Sequence, residues 1–419
     1  MNWPSVQLKQ ITALGPQYGA NAAGAPWTGS RPRYIRITDI DQYGHLLDQG
    51  AVEADTEDVN EYTLQEGDIL FARSGNTVGK TYRHSSQNGH SVFAGYLIRF
   101  RLDPQLADSK FVFFFTQSPS YKTWVSSKKR VAGQPNLNGS EYSTLTFPLP
   151  ALREQRRIVE ILEQADALRQ KRAEADAIAD RLLPALFNKT FGDQVSNQNK
   201  WPRKPLGEIT AITAAMVDPR KTEYLDLPHV GPDRIESGNG MLLPCNSARE
   251  ERLISGKYLF NPSHVLYSKI RPYLRKVALP EFSGLCSADM YPVTPLPNFI
   301  TREFLWALLL SNAFTNYTAE HSGRANMPKL NREQFAAYDC AVPPIELQRW
   351  FSRQVIELRQ FESKRVVAHG KIETLFATML YNAFNGELTA QWREAHVKEL
   401  LAEMEQQARL LRSNPNGRN

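Results

Sequence analysis

The run "WPSVQLKQIT" (Trp3–Thr12) returns as "WPRKPLGEIT" (Trp201–Thr210), and it is the first of five matched segments. "FVFFFTQSPSYKTWV" from Phe111 matches "FLWALLLSNAFTNYT" from Phe304 in pattern, and "QPNLN" (Gln134–Asn138) matches "MPKLN" (Met327–Asn331). "PALREQR" from Pro150 matches "PPIELQR" from Pro343, and Phe191 matches Phe384. The offset begins at 198 and settles at 193. Five matches in order at a nearly constant offset mark a tandem duplication, so whatever this chain folds into is built twice.

Each repeat has the same internal order. A mixed, turn-rich region of roughly 140 residues comes first, a usual domain size. Alternating runs such as "RPRYIRITDI", "GDILFAR" and "SVFAGYLIRFRL" read as strands, and "SKFVFFFTQSPSYKTWVSS" as a helix with a broad apolar face. A long helix follows. The expected divisions are a first domain over 1–150, a long helix over 151–192, a second domain over 193–343, a second long helix over 344–385, and a tail over 386–419. From Thr389 the tail reads as an amphipathic helix with no counterpart in the first repeat.

The long helices carry a heptad seam. In the first it runs Ile158, Ile161, Ala165, Leu168, Arg172, Ala175, Ala179, Leu182 and Leu186; in the second, Phe351, Gln354, Leu358, Phe361, Arg365, Ala368, Ile372, Leu375 and Met379. Steps of three and four keep these on one face, and charged flanks leave little other apolar surface, so the two helices are expected to pair with each other. A seam of about 28 residues is ~42 Å long at about 1.5 Å per residue. Two seam positions are arginines, Arg172 and Arg365, which need solvent or a carboxylate. Pro184 is expected to kink the first helix.

Composition excludes several classes. No apolar run is long enough for a membrane span, and the start "MNWPSVQLKQ" has no signal-peptide pattern. Cys245, Cys286 and Cys340 form no CxxC pair, which argues against a disulfide framework or zinc site and for a reducing cytoplasm. The net charge of +6 is compatible with a polyanionic partner.

The segment "SGNTVGKT" (Ser74–Thr81) nearly spells a phosphate-binding GxxxxGK[ST] loop. That loop needs a helix after it to hold the phosphates. Here "YRHSSQNGHSVFAGYLIRF" follows, full of turn formers and then strand-like. The second repeat replaces the segment with "SHVLYSKIRPYLRKVAL", in which Lys269, Ile270 and Arg271 stand against Arg73, Ser74 and Gly75, and Lys276 against Lys80. Glycines vanish while basic residues persist, which fits a loop reaching for a polyanion. Motifs for metalloproteases, serine hydrolases, dinucleotide binding and adenine methylation are missing, so the chain reads as non-catalytic, with no metal and no cofactor of its own.

Cations contact phosphates, while Arg, Asn and Gln read base edges. The candidate DNA-contacting residues in the first repeat are Arg31, Arg33, Tyr34 and Arg36, then Arg73, Ser74, Lys80, Thr81 and Arg83, then Lys128, Lys129, Arg130, Gln134, Asn136 and Asn138. The second repeat offers Lys269, Arg271, Tyr273, Arg275 and Lys276, then Arg324, Asn326 and Lys329. The recurrence of such clusters at equivalent places favours binding over a merely solvated charged face.

Several stretches together resemble the specificity subunits of type I restriction–modification systems over essentially the whole chain. They are "WPRKPLGEI", "YIRITDI", "LYSKIRPYLRKVALP", "PLPALREQRRIVEILEQAD", "LLPALFNKTFGD" and "AFNGELTAQWRE". The resemblance implies an α+β chain of two mixed α/β target-recognition domains, separated by an antiparallel coiled coil of two long helices in pseudo-twofold tandem repeat. It implies that each domain reads one half of a split double-stranded DNA site, with the gap set by the helices. It further implies two modification subunits, docked on the helices and chain ends, that use S-adenosylmethionine to methylate adenine, and restriction subunits that use ATP and Mg. A stand-alone two-domain DNA-binding protein or regulator is the rival, and an NTPase using "SGNTVGKT" a weaker one.

Overall fold

The computed structural model describes residues 3–55, 60–128, 135–323 and 328–413. The chain forms two compact units, one of residues 1–171 with 369–419 and one of residues 172–368. Each long helical segment therefore contributes one part to each unit.

The first unit is organised around an antiparallel four-stranded sheet. Its strands are β1 (Thr12–Tyr18), β2 (Ile69–Ala72), β3 (Thr81–Arg83) and β4 (Leu97–Leu102), in the order β1-β4-β2-β3. The second unit repeats that order with β5 (Thr210–Ala211), β6 (Val265–Ser268), β7 (Val277–Ala278) and β8 (Met290–Pro295), as β5-β8-β6-β7. The run "ILFA" of β2 is buried on both faces because the sheet lies between two apolar clusters. Ile69 and Phe71 enter one with Ile98 and Phe100, and Leu70 and Ala72 enter the other with Tyr82 and Phe93. In β6, Val265 and Tyr267 divide from Leu266 in the same way. A strand buried on both sides reads as a continuous apolar run, not an alternation.

Beside this sheet lies a second, smaller one. Arg33–Ile35 runs parallel to Ser91–Phe93 in the first unit, and His229–Val230 parallel to Gly284–Cys286 in the second. Here the repeats diverge. The first unit adds Val52–Ala54 and Gly24–Pro26 on the side of Arg33–Ile35, whereas the second adds Lys257–Phe260 on the side of Gly284–Cys286. Duplication has kept the central sheet and varied its neighbour.

The first long helical segment is α1 (Leu152–Ala179) followed by α2 (Leu182–Phe191), and the second is α3 (Ile345–Asn385). The break at Asp180–Arg181 is the doing of Pro184, whose ring excludes the carbonyl four residues back. One buried glutamine fixes where each segment leaves its domain. The Gln155 side chain accepts from Asp108 N at 2.8 Å and donates to Leu106 O and Pro150 O at 3.2 and 2.8 Å. Gln348 repeats every contact, accepting from Thr301 N at 3.0 Å and donating to Phe299 O and Pro343 O at 3.0 and 2.8 Å. Either glutamine replaced by leucine orphans a backbone N–H against the helix start. Each change is expected to cost about 2–3 kcal/mol by urea unfolding, and a loss below about 0.5 kcal/mol would show the joint to be held otherwise.

The helices pair antiparallel within each unit. In the first, Arg169 of α1 donates to both carboxylate oxygens of Glu373 at 3.0 Å, and Phe376, Leu380 and Ala383 join Ile158 and Leu162 in one core. In the second, Arg172 donates to Arg365 O at 2.9 Å, and Phe187 of α2 meets Phe351. The expected heptad seam needs correction. Ile158 and Phe351 are buried, and Ile161, Leu186, Leu358, Ile372 and Met379 half-buried. Leu168, Leu182, Phe361 and Leu375 are 42–59% exposed, whereas Leu162, Val355, Phe376 and Leu380 fill the core. Near its ends each helix packs on a globular core as well as on its partner, which rotates the buried stripe. The middle is ionic: Arg365 donates to Asp180 Oδ1 at 2.6 Å and Asp176 O at 2.9 Å, and Arg172 pairs with Asp176 at 2.9 Å. These seam arginines are carboxylate-paired.

The tail forms α4 (Ala390–Ala395) and α5 (Val397–Ser413) and belongs to the first unit. Leu400 is fully buried, and Gln407 donates to Leu106 O at 2.7 Å and Pro150 O at 3.3 Å, the carbonyls that Gln155 also holds. Among the described residues no helix is long and apolar enough to cross a membrane.

Candidate nucleic-acid interface

The segment after β2 is clasped at three backbone points. Arg73 N donates to Tyr96 O at 3.0 Å, Gly75 N to Pro135 O at 2.9 Å, and Leu137 N to Arg73 O at 2.9 Å. Ser74 lies bridged to Asn136. The segment after β6 is clasped at the equivalent points. Lys269 N donates to Asp289 O at 3.0 Å, Arg271 N to Pro328 O at 2.8 Å, and Leu330 N to Lys269 O at 2.9 Å, with Ile270 bridged to Lys329. One backbone device is thus built twice with different side chains on it.

The glycines of "SGNTVGKT" now have a physical role. Gly75 opens the 3-10 turn Gly75–Thr77 at φ of 65°, and Gly79 follows it at φ of 91°. A Cβ on Gly79 would meet Val125 Cγ1 at 2.7 Å. Arg271 and Arg275 occupy the corresponding places around Pro272–Leu274 at φ of 47° and 48°, left-handed conformations that arginine adopts at a cost. The first loop runs into strand β3, not into a helix, so no helix N-terminus receives a phosphate there.

The side chains around the two loops differ. In the first unit the Arg73 guanidinium lies 4.9 Å over the Tyr18 ring, and Tyr18 and Tyr96 are 39% and 63% exposed. Asn136 is exposed and Ser74 half-buried. In the second unit cations converge. The Lys269 ammonium and the Arg332 guanidinium both approach the Tyr291 ring, at 5.3 and 5.9 Å. Lys269 is held below the ordinary lysine value by burial and then by the charge of Lys329, with Arg332 adding to it. Arg271, Lys329 and Tyr273 are exposed beside it. Asp289 offsets only part of this crowding of like charges, and exposed aromatic and cationic groups on a preformed loop suit phosphates and base edges.

Residues 3–176 match the type I restriction modification DNA specificity domain family. That match covers the first repeat and most of α1. It is 24% identical to the type I restriction enzyme EcoDI specificity subunit of Escherichia coli, over 94% of this chain and 90% of that protein. It is 24% identical to the EcoKI specificity subunit of Escherichia coli K12 over 53% of this chain and 48% of that one. In fold it is similar to the type I restriction–modification S subunit from M. genitalium, with a TM-score of 0.54 and 16% identity over 92% of this chain and 96% of that one.

Several of the candidate residues are used internally instead. Tyr34 is buried, donating its hydroxyl to Ala20 O at 2.8 Å. Thr81 is buried and shares a 2.6 Å hydrogen bond with Thr116. Lys80 donates to Ile40 O at 2.9 Å and Lys276 to Pro232 O at 2.6 Å, so each lysine ties its loop to the 3-10 turn that follows Arg33–Ile35 or His229–Val230. Lys269 also donates to Ala288 O, at 2.5 Å. Arg33 pairs with Asp48, Arg36 with Asp39, Arg83 with Glu66, and Arg31 with Asp55 at the surface. Arg275 donates to Asn312 at 3.1 Å. Asn138 caps the helix Gly139–Ser143, as Asn331 caps Arg332–Ala336. Lys128 lies 5.9 Å over Trp124. Lys129, Arg130, Gln134, Arg324 and Asn326 lie outside the described residues. Tyr18, Tyr96 and Arg332 are not among the sequence candidates; a tyrosine in a strand-like run gives no sign of facing outward.

A histidine anchors the first domain to α1. His45 Nε2 lies 3.3 Å from Asp166 Oδ2, and Nδ1 3.6 Å from Asp41 Oδ2. Arg169, one turn on, stacks between the rings of Tyr43 at 4.2 Å and Phe376 at 4.0 Å. The Asp166 hydrogen bond and then that of Asp41 raise His45 from 6.5 to about 9. A raised folded-state value means that the charged histidine stabilises fully below pH ~6.5, and that this is lost as pH climbs through about 9. Screening at a side chain one-third exposed brings the effect to about 1–2 kcal/mol. Between pH 6.5 and 9.5 the wild-type unfolding midpoint should fall more than that of His45→Gln, and parallel curves would show that the pair does not contribute.

Proposed function

We propose that the chain is a non-catalytic DNA-reading subunit that recognises a bipartite, asymmetric double-stranded site, one half per unit. The observation that carries this is the twice-built clasped loop whose backbone repeats and whose side chains do not. Arg73-Ser74-Gly75 and Lys269-Ile270-Arg271 present different groups on the same frame, so two different half-sites follow. On this reading the helix pair sets the gap, and the two modification subunits dock on the helices and chain ends, where Leu168, Ile178, Phe361 and Leu375 leave apolar surface exposed. S-adenosylmethionine, ATP and Mg are bound by the modification and restriction subunits, and the complex works in the cytoplasm. Lys80 supports this division, because its ammonium is already spent on Ile40 O and offers nothing to a nucleotide.

The test is exchange of residues 1–150 for the first domain of another family member, coexpressed with a modification subunit, with methylated adenines read by single-molecule sequencing. One half of the methylated sequence should change and the other stay. Change in both halves refutes independent readers. ATP hydrolysis by the isolated chain that Lys80→Ala abolishes would refute the non-catalytic assignment.

A further inference from the structure

The two units share a surface that only the first one covers. In the first unit α5 lies against the start of α1: Gln407 reaches Leu106 O and Pro150 O, and Glu403 accepts from Arg153 N at 3.2 Å and pairs with its guanidinium at 3.5 Å. Leu106, Ala151 and Glu154 are fully buried there. The equivalents in the second unit are Phe299, Pro344 and Leu347. Phe299 is 38% exposed, Pro344 exposed and Leu347 half-buried, and Trp350 beside them is 41% exposed. Phe299 O and Pro343 O each accept from Gln348, and among the described residues they have no second donor to match Gln407. The Lys204 ammonium approaches the Phe299 ring, at 5.3 Å. Two apolar rings and two half-used carbonyls thus stand open where the first unit holds a helix.

The charges say which helix fits. Glu346 stands where the first unit has Arg153; it pairs with Arg349 on the next turn at 2.5 Å, yet its side chain stays 76% exposed. A second copy of α5 would set Glu403 against Glu346, and like charges at contact repel. Leu347 stands where Glu154 receives Arg393, so the polar half of the tail has no partner here either.

We propose that the face built from Phe299, Pro344, Leu347 and Trp350 receives an amphipathic helix of a partner protein. That helix presents an amide donor at the place of Gln407 and a basic side chain one turn earlier, at the place of Glu403. The tail of this chain is a built-in counterpart of that partner helix, and it makes the two ends of the duplication inequivalent as docking surfaces. The inference rests on the reading of the chain as a subunit that recruits modification subunits, from which the helix would come.

The experiment is photocrosslinking in the assembled complex. Full-length chain carrying Trp350→p-benzoylphenylalanine is copurified with the modification subunit and irradiated, and the adducts are mapped by mass spectrometry. Capture of a modification-subunit helix with Lys or Arg four residues before Gln or Asn is the expected result. In a parallel sample Arg157→p-benzoylphenylalanine, at the equivalent place in the first unit, should capture residues 397–413 of the same chain. Charge reversal by Glu346→Lys should weaken the complex at least tenfold and leave the methylated sequence unchanged. Capture of a second copy of this chain, or no capture at position 350 in a complex that methylates DNA, overturns the proposal and leaves recruitment standing. Failure of any complex to form with the unsubstituted chain overturns recruitment, and the proposal with it.

Discussion

Replacing Glu154 by alanine should destabilise the chain by about 3–5 kcal/mol, the cost of leaving one partner of a buried ion pair alone. Glu154 is fully buried at the start of α1. One carboxylate oxygen accepts from Trp3 Nε1 at 3.0 Å, and the other accepts from Thr389 Oγ1 and Arg393 Nε, both at 2.7 Å. The Arg393 guanidinium also lies 4.8 Å over the Trp3 ring. One carboxylate therefore joins the start of the chain, the first long helix and the tail. Without it, Arg393, whose side chain is 14% exposed, keeps its charge with no counter-ion. Glu154→Gln keeps an acceptor and should cost less, about 1–2 kcal/mol. The second unit supplies the control, because Leu347 stands at the equivalent position. Glu154→Leu combined with Arg393→Met should recover most of the loss, since apolar replacement of a whole buried pair is often neutral. Urea unfolding of the full chain measures all three, and additivity of the two changes would show that the pair is not coupled.

The duplication was legible because it is written in residues that both copies need: the tryptophan–proline openings, the glutamine in the first turn of each long helix, and the apolar strands between two cores. The helix seam was legible only in outline. Heptad reasoning treats a helix as meeting one partner, whereas Phe376 and Leu380 meet a helix and a domain core together, which moved burial away from Leu375 and Phe361. The basic clusters were the least legible part of the candidate site. Sequence shows that Arg33, Arg36, Lys80 and Lys276 are cations; it does not show that Asp48, Asp39, Ile40 O and Pro232 O already satisfy them. Glu154 carried no repeat signal, because its counterpart is a leucine, and a lone glutamate near a helix start reads as a solvated charge.

Arg271→Gly with Lys329→Ala should cut DNA affinity about 10²–10³-fold while leaving stability within about 1 kcal/mol of wild type. The two parts of this expectation have separate causes. Arg271 sits at φ 47°, where an L side chain costs about 1 kcal/mol that glycine does not incur. Glycine returns about 0.5–1 kcal/mol of that through the freedom it gives the unfolded chain, so the fold gains little and loses little. The first unit shows the frame tolerates this, since Gly75 stands at the equivalent position at φ 65°. Among the described residues nothing pairs with the Arg271 guanidinium, and its backbone N–H, bonded to Pro328 O, is retained by glycine. A residue held in a strained conformation with an exposed, unpaired charge contributes nothing to the fold that glycine would not, which leaves the ligand as its use. Each bond to a phosphate or base edge is worth about 1–3 kcal/mol, and removing one cation from a phosphate should reduce the slope of log affinity against log salt by about 1. Fluorescence anisotropy on the methylated sequence across a salt series reads both quantities, and urea unfolding reads the fold. If affinity and salt slope stay at wild-type values, the loop after β6 does not face DNA. If instead the chain loses several kcal/mol of stability, the left-handed arginine is a structural element and its glycine counterpart is not equivalent.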